Sequence, residues 1–209
     1  MNVKKICGVV KVNKRRYSLV ILALVLVGCV IISQLSDSDD PILDALELEE
    51  YAVYSTIIGE RFHAPVIVIV DHTSSGRFFG EELSTQLNHM HEKMPTAEKE
   101  TFLYFRAKNE QSHSLNDSFD CNAIIKLLSE EKVREIFRGT FGWSEFYVRY
   151  PFSQGIMTLS RVGFNSEMNQ ALVYYGNSKG SLSGAGYYLL LTRINGVWVV
   201  QDEILVWIS

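Results

Sequence analysis

Apolar and polar positions follow two rhythms along this chain. Up to about residue 150 the apolar residues recur every three or four positions, and from about Gly155 they recur every second one. The first rhythm predicts helices. After Asp40 as a cap and Pro41 in a first turn, "ILDALELEEYAVYSTII" carries Leu43, Leu46, Val53, Tyr54 and Ile57 at helical spacing, with Gly59 as its expected stop. "GEELSTQLNHMHEKM" sets Leu83, Leu87, Met90 and Met94 on one stripe before Pro95, and "TAEKETFLYFRAKN" and "SEEKVREIFRG" read as two further helices. Within this half "PVIVIVD" is a strand, apolar on both faces and so central, while "CNAIIKLL" fits helix and strand equally.

The second rhythm predicts a sheet. "GIMTLSRVGF", "QALVYY", "GYYLLLTRI" and "VWVVQDEILVWI" are four strands in succession, and Asn195-Gly196 between the last two is a hairpin signal. Glycines in "SGAGYY" mark a bulge or a close backbone approach. The last strand breaks its own alternation, because Gln201, Asp202 and Glu203 put polar residues on both faces. A bulge there re-aims the strand without burying a charge; otherwise Asp202 or Glu203 points into a pocket. Helices first and sheet second give an α+β class: helices packed on a mainly antiparallel sheet with a C-terminal four-stranded meander.

What precedes residue 41 follows neither rhythm. Six basic residues and no acid lie in residues 1–16, and the 17 residues from Tyr17 to Ser33 are almost wholly apolar. At ~1.5 Å per residue this is just long enough to cross a bilayer core of ~30 Å. The expected organisation is a cytoplasmic basic arm (1–16), a transmembrane signal anchor (17–33), a tether (34–40) and one exported α+β domain (41–209). The positive-inside rule places that domain beyond the inner membrane, periplasmic or extracellular. "LVGC" resembles the lipobox of bacterial lipoproteins, and the alternative is a lipid anchor at Cys29.

Charge and cysteine narrow the partners. Without the arm, 14 basic residues face 24 acidic ones, a formal charge of −10 that argues against nucleic acid. Cys121 is the only cysteine beyond the span, so the domain folds without an internal disulfide and its thiol is read as buried and inert.

"EEYAVYSTII", "VIVIVDHTSS", "YPFSQGIMTLSRVGFN", "QALVYYG" and "GYYLLLTRINGVWVV" resemble a set of uncharacterised bacterial membrane-anchored proteins across most of residues 49–200. That resemblance carries no assigned activity and implies no catalytic residue. In layout the chain is similar to cystatin-like and nuclear-transport-factor-like folds, in which helices pack into a curved antiparallel sheet.

Chemistry concentrates after the first strand. Asp71, Thr73 and Ser75 repeat an acid-x-hydroxyl-x-hydroxyl spacing that looks like the metal-ion-dependent adhesion site of von Willebrand A domains, whose oxygens suit Mg²⁺. Two departures weaken it: threonine stands where serine is usual, and the later half of the chain is antiparallel in pattern. A turn, with Asp71 and Thr73 bonding nearby backbone and Gly76 supplying an unusual φ, accounts for the same residues. His89 and His91 stand two apart rather than the four that helical zinc ligands need. Composition permits Ser/His/Asp catalysis, but no G-x-S-x-G elbow is present. No nucleotide loop or cofactor motif occurs, and no cofactor is expected.

Aromatics are the remaining feature. "TFGWSEFYVRYPF" holds six in 13 residues, Trp143 among them, and Tyr187 follows in the sheet. Most should pack the core; the rest are candidates for a pocket or partner surface. The sequence thus favours a binding or protein-interaction module, holding a protein partner or a small apolar ligand, with Asp202, Glu203, Trp143 and Tyr187 as candidate contacts. The alternative is a hydrolase or metal-dependent enzyme using Asp71, Thr73 and Ser75.

Overall fold

The computed structural model describes residues 41–75 and 83–209. The basic arm, the 17–33 span with Cys29, and the 34–40 tether lie outside the described residues, among which no helix is long and apolar enough to cross a membrane. Residues from Ala45 to Ser209 form one compact unit.

In chain order the elements are helix α1 (Pro41–Arg61), strand β1 (Val66–Val70), helices α2 (Leu83–Lys93) and α3 (Lys99–Lys108), and strand β2 (Ile124–Leu128). Helices α4 (Glu130–Phe137) and α5 (Gly142–Arg149) follow, then strands β3 (Ser153–Leu159), β4 (Gly163–Phe164), β5 (Gln170–Gly180), β6 (Ser183–Ile194) and β7 (Val197–Ile208). All seven strands join one sheet in the order β2-β1-β3-β5-β6-β7, with β4 paired to β5.

This is α+β with a C-terminal meander, but the sheet is mixed. β1 runs parallel to both β2 and β3, whereas the four pairings of the second half are antiparallel. The ambiguous "CNAIIKLL" is therefore a strand, parallel to β1 and at the edge. Its five ordered residues have too short a period to declare themselves, and pairing decides the outcome. The predicted first meander strand is broken into β3 and β4. Leu159 faces Tyr175 and Gly163 faces Leu172, so one extra residue is accommodated between them. Ser160 mends the gap by accepting the Tyr174 amide on its own hydroxyl at 2.8 Å.

Both faces of the sheet are covered. Tyr54, Ile57 and Ile58 of α1 pack on Ile67, Ile69, Met157, Val173 and Leu189 on one side. On the other, Met90 of α2, Met94 just past its end, and Phe102 and Phe105 of α3 cover Leu172, Tyr174, Tyr188 and Leu190, and α4 and α5 cover Val68 and Ile156. Each fully buried Ile or Leu of these layers contributes about 1.5–3 kcal/mol relative to exposure. Alternating residues of β1 feed both layers, which is why that strand reads as uninterrupted hydrophobic sequence.

Local signals explain most boundaries. Ser129 caps α4 by accepting the Lys132 amide. Asn195 and Gly196 have φ of 52° and 84°, the left-handed pair that a tight hairpin turn requires. Gly59 does not stop α1, which runs on to Arg61. A helical glycine costs only about 1 kcal/mol, and burial of Ile58 and Phe62 on the sheet outweighs it.

The last strand carries two bulges. Leu191 faces Val200 and Leu190 faces Asp202, leaving Gln201 as an extra residue; Val206 is extra in the same way between Leu205 and Trp207. Each bulge reverses which face the following residues meet. Trp198 and Val200 consequently join the α1 layer, Ile204 joins the α3 layer, and Glu203 returns to the α1 side. After Val206, Trp207 turns to the α3 side and donates its indole N–H to the Tyr174 hydroxyl at 2.7 Å. A Cβ on Gly186 would collide with that indole, so "SGAGYY" marks a close approach.

Candidate functional site

Where α1 ends, the β5–β6 hairpin projects past it and leaves a cleft of about 440 Å³. Its lining includes Arg61, Phe62, Gln154, Tyr175, Lys179 and Tyr187. Tyr175 and Tyr187 are directly opposed across β5 and β6, so their rings stack at 5.4 Å with planes 21° apart. Phe62 meets Tyr175 edge-on at 5.8 Å. Burial, reinforced by Tyr187 and Glu203 and opposed by Arg61, pushes the Tyr175 hydroxyl up to about 12, so it stays a neutral hydrogen-bonding group.

The polar groups are placed around that aromatic wall. Arg61 pairs with Glu203 at 2.7 Å, both partly exposed. Lys179 is exposed and has no ion-pair partner among the described residues. An extra residue in β3 opposite β1 turns the Gln154 carbonyl toward Asn177, whose side-chain amide donates to it at 3.0 Å. The Gln154 side-chain oxygen is buried and has no hydrogen-bond partner among the described residues. The cleft thus combines an apolar wall, a cation with no ion-pair partner among the described residues and a paired cation.

Sequence candidates divide between this cleft and other places. Tyr187 forms its wall, and Glu203 reaches it through Arg61. Asp202 faces the other side of the sheet, where its carboxylate accepts the Glu203 amide at 2.8 Å. Trp143 is remote from the cleft lining: it packs edge-on to Phe137 at 4.9 Å and Phe146 at 5.6 Å between α4 and α5. Cys121 is half-buried, with its thiol 3.8 Å from the Ala123 carbonyl.

Asp71 to Ser74 do not form the expected turn. They prolong β1: the Asp71 amide donates to the Leu128 carbonyl, the Thr73 amide to the His113 carbonyl, and the Ser74 amide to the Leu159 carbonyl. Thr73 is buried, and its hydroxyl accepts the His113 amide at 2.9 Å. The Asp71 carboxylate instead meets the His72 ring at 2.7 Å. The two oxygens therefore serve different partners, and Ser75 is half-buried and bonds to neither residue. No group of three or more His, Cys, Asp or Glu able to hold a metal occurs among the described residues. Gly76 lies outside them.

One buried charge cluster went unread. Glu50 of α1 has a side chain only 4% exposed, contacting Arg161 at 2.6 Å and Lys108 at 2.7 Å. Burial alone would raise its carboxyl, but the Arg161 hydrogen bond and the charges of Lys108 and Arg161 outweigh that and hold it below the ordinary value. Arg161 reaches Glu50 from the β3–β4 break, while Asn109 of the α3 end holds the Arg161 backbone at 2.8 and 3.0 Å. The sequence signal was present: Glu50 stands between Leu46 and Tyr54 at helical spacing, an acid on the apolar stripe.

No family model, no curated protein and no solved structure matches this chain.

Proposed function

We propose that the domain is a ligand-binding module, held outside the cytoplasmic membrane by residues 17–33, and that the cleft beside α1 is its binding site. The carrying observation is the stacked Tyr175–Tyr187 wall with Arg61 and Lys179 beside it. Concave sites with an apolar wall and a few polar groups are where small molecules bind. The chemistry fits a small amphipathic ligand: an apolar body against Phe62, Tyr175 and Tyr187, and an acceptor such as a carboxylate toward Lys179 and Arg61.

Saturation-transfer NMR on the full chain in nanodiscs, with a panel of aromatic and medium-chain carboxylates, tests this reading. Binding is expected for the wild type and should weaken at least tenfold in Tyr187→Ala and in Lys179→Glu. No binder in the panel, or binding that both variants retain, overturns it. Protease accessibility in spheroplasts tests the orientation separately: the acidic domain should be cleaved from outside, whether the anchor is the 17–33 helix or a lipid on Cys29.

A further inference from the structure

Residues His72 and Ser114 lie opposite each other in an isolated antiparallel bridge. The backbone bonds flanking it run from Thr73 to His113 and from Leu115 to Asp71, each 2.8 Å. That pattern makes His72 and Ser114 a non-hydrogen-bonded pair, the arrangement in which opposed side chains approach most closely. The Ser114 hydroxyl oxygen is 3.1 Å from His72 Nε2, and His72 Nδ1 is 2.7 Å from Asp71 Oδ1. Asp71 has 27% of its side-chain surface exposed and His72 46%, and Ser114 is exposed, so the array is open to a substrate.

We infer that Ser114, His72 and Asp71 form a nucleophilic site for acyl or phosphoryl esters, separate from the cleft. The order of the contacts supplies the chemistry. A carboxylate accepts only, so Nδ1 carries the imidazole proton and Nε2 presents its lone pair to the Ser114 hydroxyl. His72 can then take the hydroxyl proton as the Ser114 oxygen bonds to an ester carbonyl carbon, while Asp71 stabilises the imidazolium that forms. The bond from that carbon to the alkoxy oxygen breaks, and the proton passes from His72 to the departing alcohol. Water, deprotonated by His72, hydrolyses the acyl-serine and restores the free hydroxyl. The Ser114 amide has no backbone acceptor among the described residues, which leaves it available to the developing oxyanion. Asp71 was a sequence candidate with the wrong companions: its working partners are the adjacent histidine and a serine 42 residues further on from it.

A fluorophosphonate probe applied to the full chain in nanodiscs reads this site directly. The Ser114 oxygen bonds to phosphorus, fluoride leaves, and the proton departs through His72, giving a stable mass increase. Peptide mapping should place the label on Ser114. Ser114→Ala should abolish it, and His72→Gln and Asp71→Asn should slow it at least tenfold with unchanged circular dichroism. Hydrolysis of p-nitrophenyl acetate should fall in the same order. Absence of label, label on another serine, or equal labelling of wild type and His72→Gln overturns the inference.

Discussion

Two of the ionic contacts made by helix α1, those of Glu50 and Arg61, differ in almost every respect except their parent helix. Glu50 is buried and held by two cations and the Val162 amide, whereas Arg61, near the helix end, pairs with Glu203 alone among the described residues and is partly solvated. Around Glu50 the backbone is fixed as well: Tyr54 donates to the Ser160 carbonyl at 2.8 Å, and Asn109 clamps Arg161. Around Arg61 there is a cleft. Charge at a helix–sheet contact therefore does different work according to its solvation: the buried cluster fixes where α1 sits, and the partly solvated pair leaves Arg61 lining the cleft.

Glu50→Ala tests the first half of this contrast and should have the largest effect. It strands Arg161 and Lys108 beside an empty carboxylate site, a loss of about 3 kcal/mol by the usual cost of removing one partner of a buried pair. Urea denaturation measures it; a loss as small as a surface pair gives would show that the cluster does not fix the helix.

Next in size is Gly186→Ala, behind the cleft wall. Its methyl group must displace the Trp207 indole, so about 1–3 kcal/mol should be lost, together with the Trp207–Tyr174 hydrogen bond. Denaturation midpoints and tryptophan emission would report both; unchanged emission would mean that the indole has room to move.

Acid should erase part of the difference between the two contacts. The Glu50 folded value lies below the ordinary 4.5, so its contribution to stability is complete above that pH. The contribution is lost as pH falls from there through the lower folded value, because protons then bind the unfolded carboxylate first. The stability gap between wild type and Glu50→Gln should be constant near neutrality and narrow below pH 4.5. A gap that stays constant under acid would refute the ionic account.

Glu203→Gln should have the smallest effect on folding, below about 1 kcal/mol, as an exposed pair gives. Its consequence should appear in the cleft instead, where Arg61 loses its internal competitor and carboxylates bind more tightly in the same NMR assay. Weaker binding would mean that Glu203 positions Arg61 rather than restraining it.

Much of this architecture is legible in the residues, and the exceptions share a cause. The hairpin at Asn195-Gly196 is local, since the turn's dihedral demand is met by the two residues themselves. The break near Gln201 is readable because a strand cannot keep one parity while polar residues occupy both faces. Strand β2 and the parallel half are not, because a run of five residues, four of them apolar, pairs wherever the sheet has room. Helix α5 is hidden by the density of aromatics in "TFGWSEFYVRYPF", which obscures any single stripe. In the cleft, Glu203 was readable as a pocket candidate on a strand of broken alternation and Tyr187 as one of the clustered aromatics, while Arg61, Gln154 and Lys179 come from distant segments with no motif to join them. His72 and Ser114 meet only through a bridge that tertiary packing creates.

The paired bulges of β7 also bear on how these molecules behave in a crowd. β7 is the outermost strand, twelve residues long, with Val197, Val199, Leu205 and Val206 exposed. An uninterrupted apolar edge of that length would template a neighbouring chain. Gln201 and Val206 cut its outer row of amides and carbonyls into short lengths, and Asp202 and Glu203 add charge between them. Wherever copies of the domain meet at high local concentration, those two supernumerary residues act as spacers against sheet-to-sheet polymerisation and keep the domains colloidally separate.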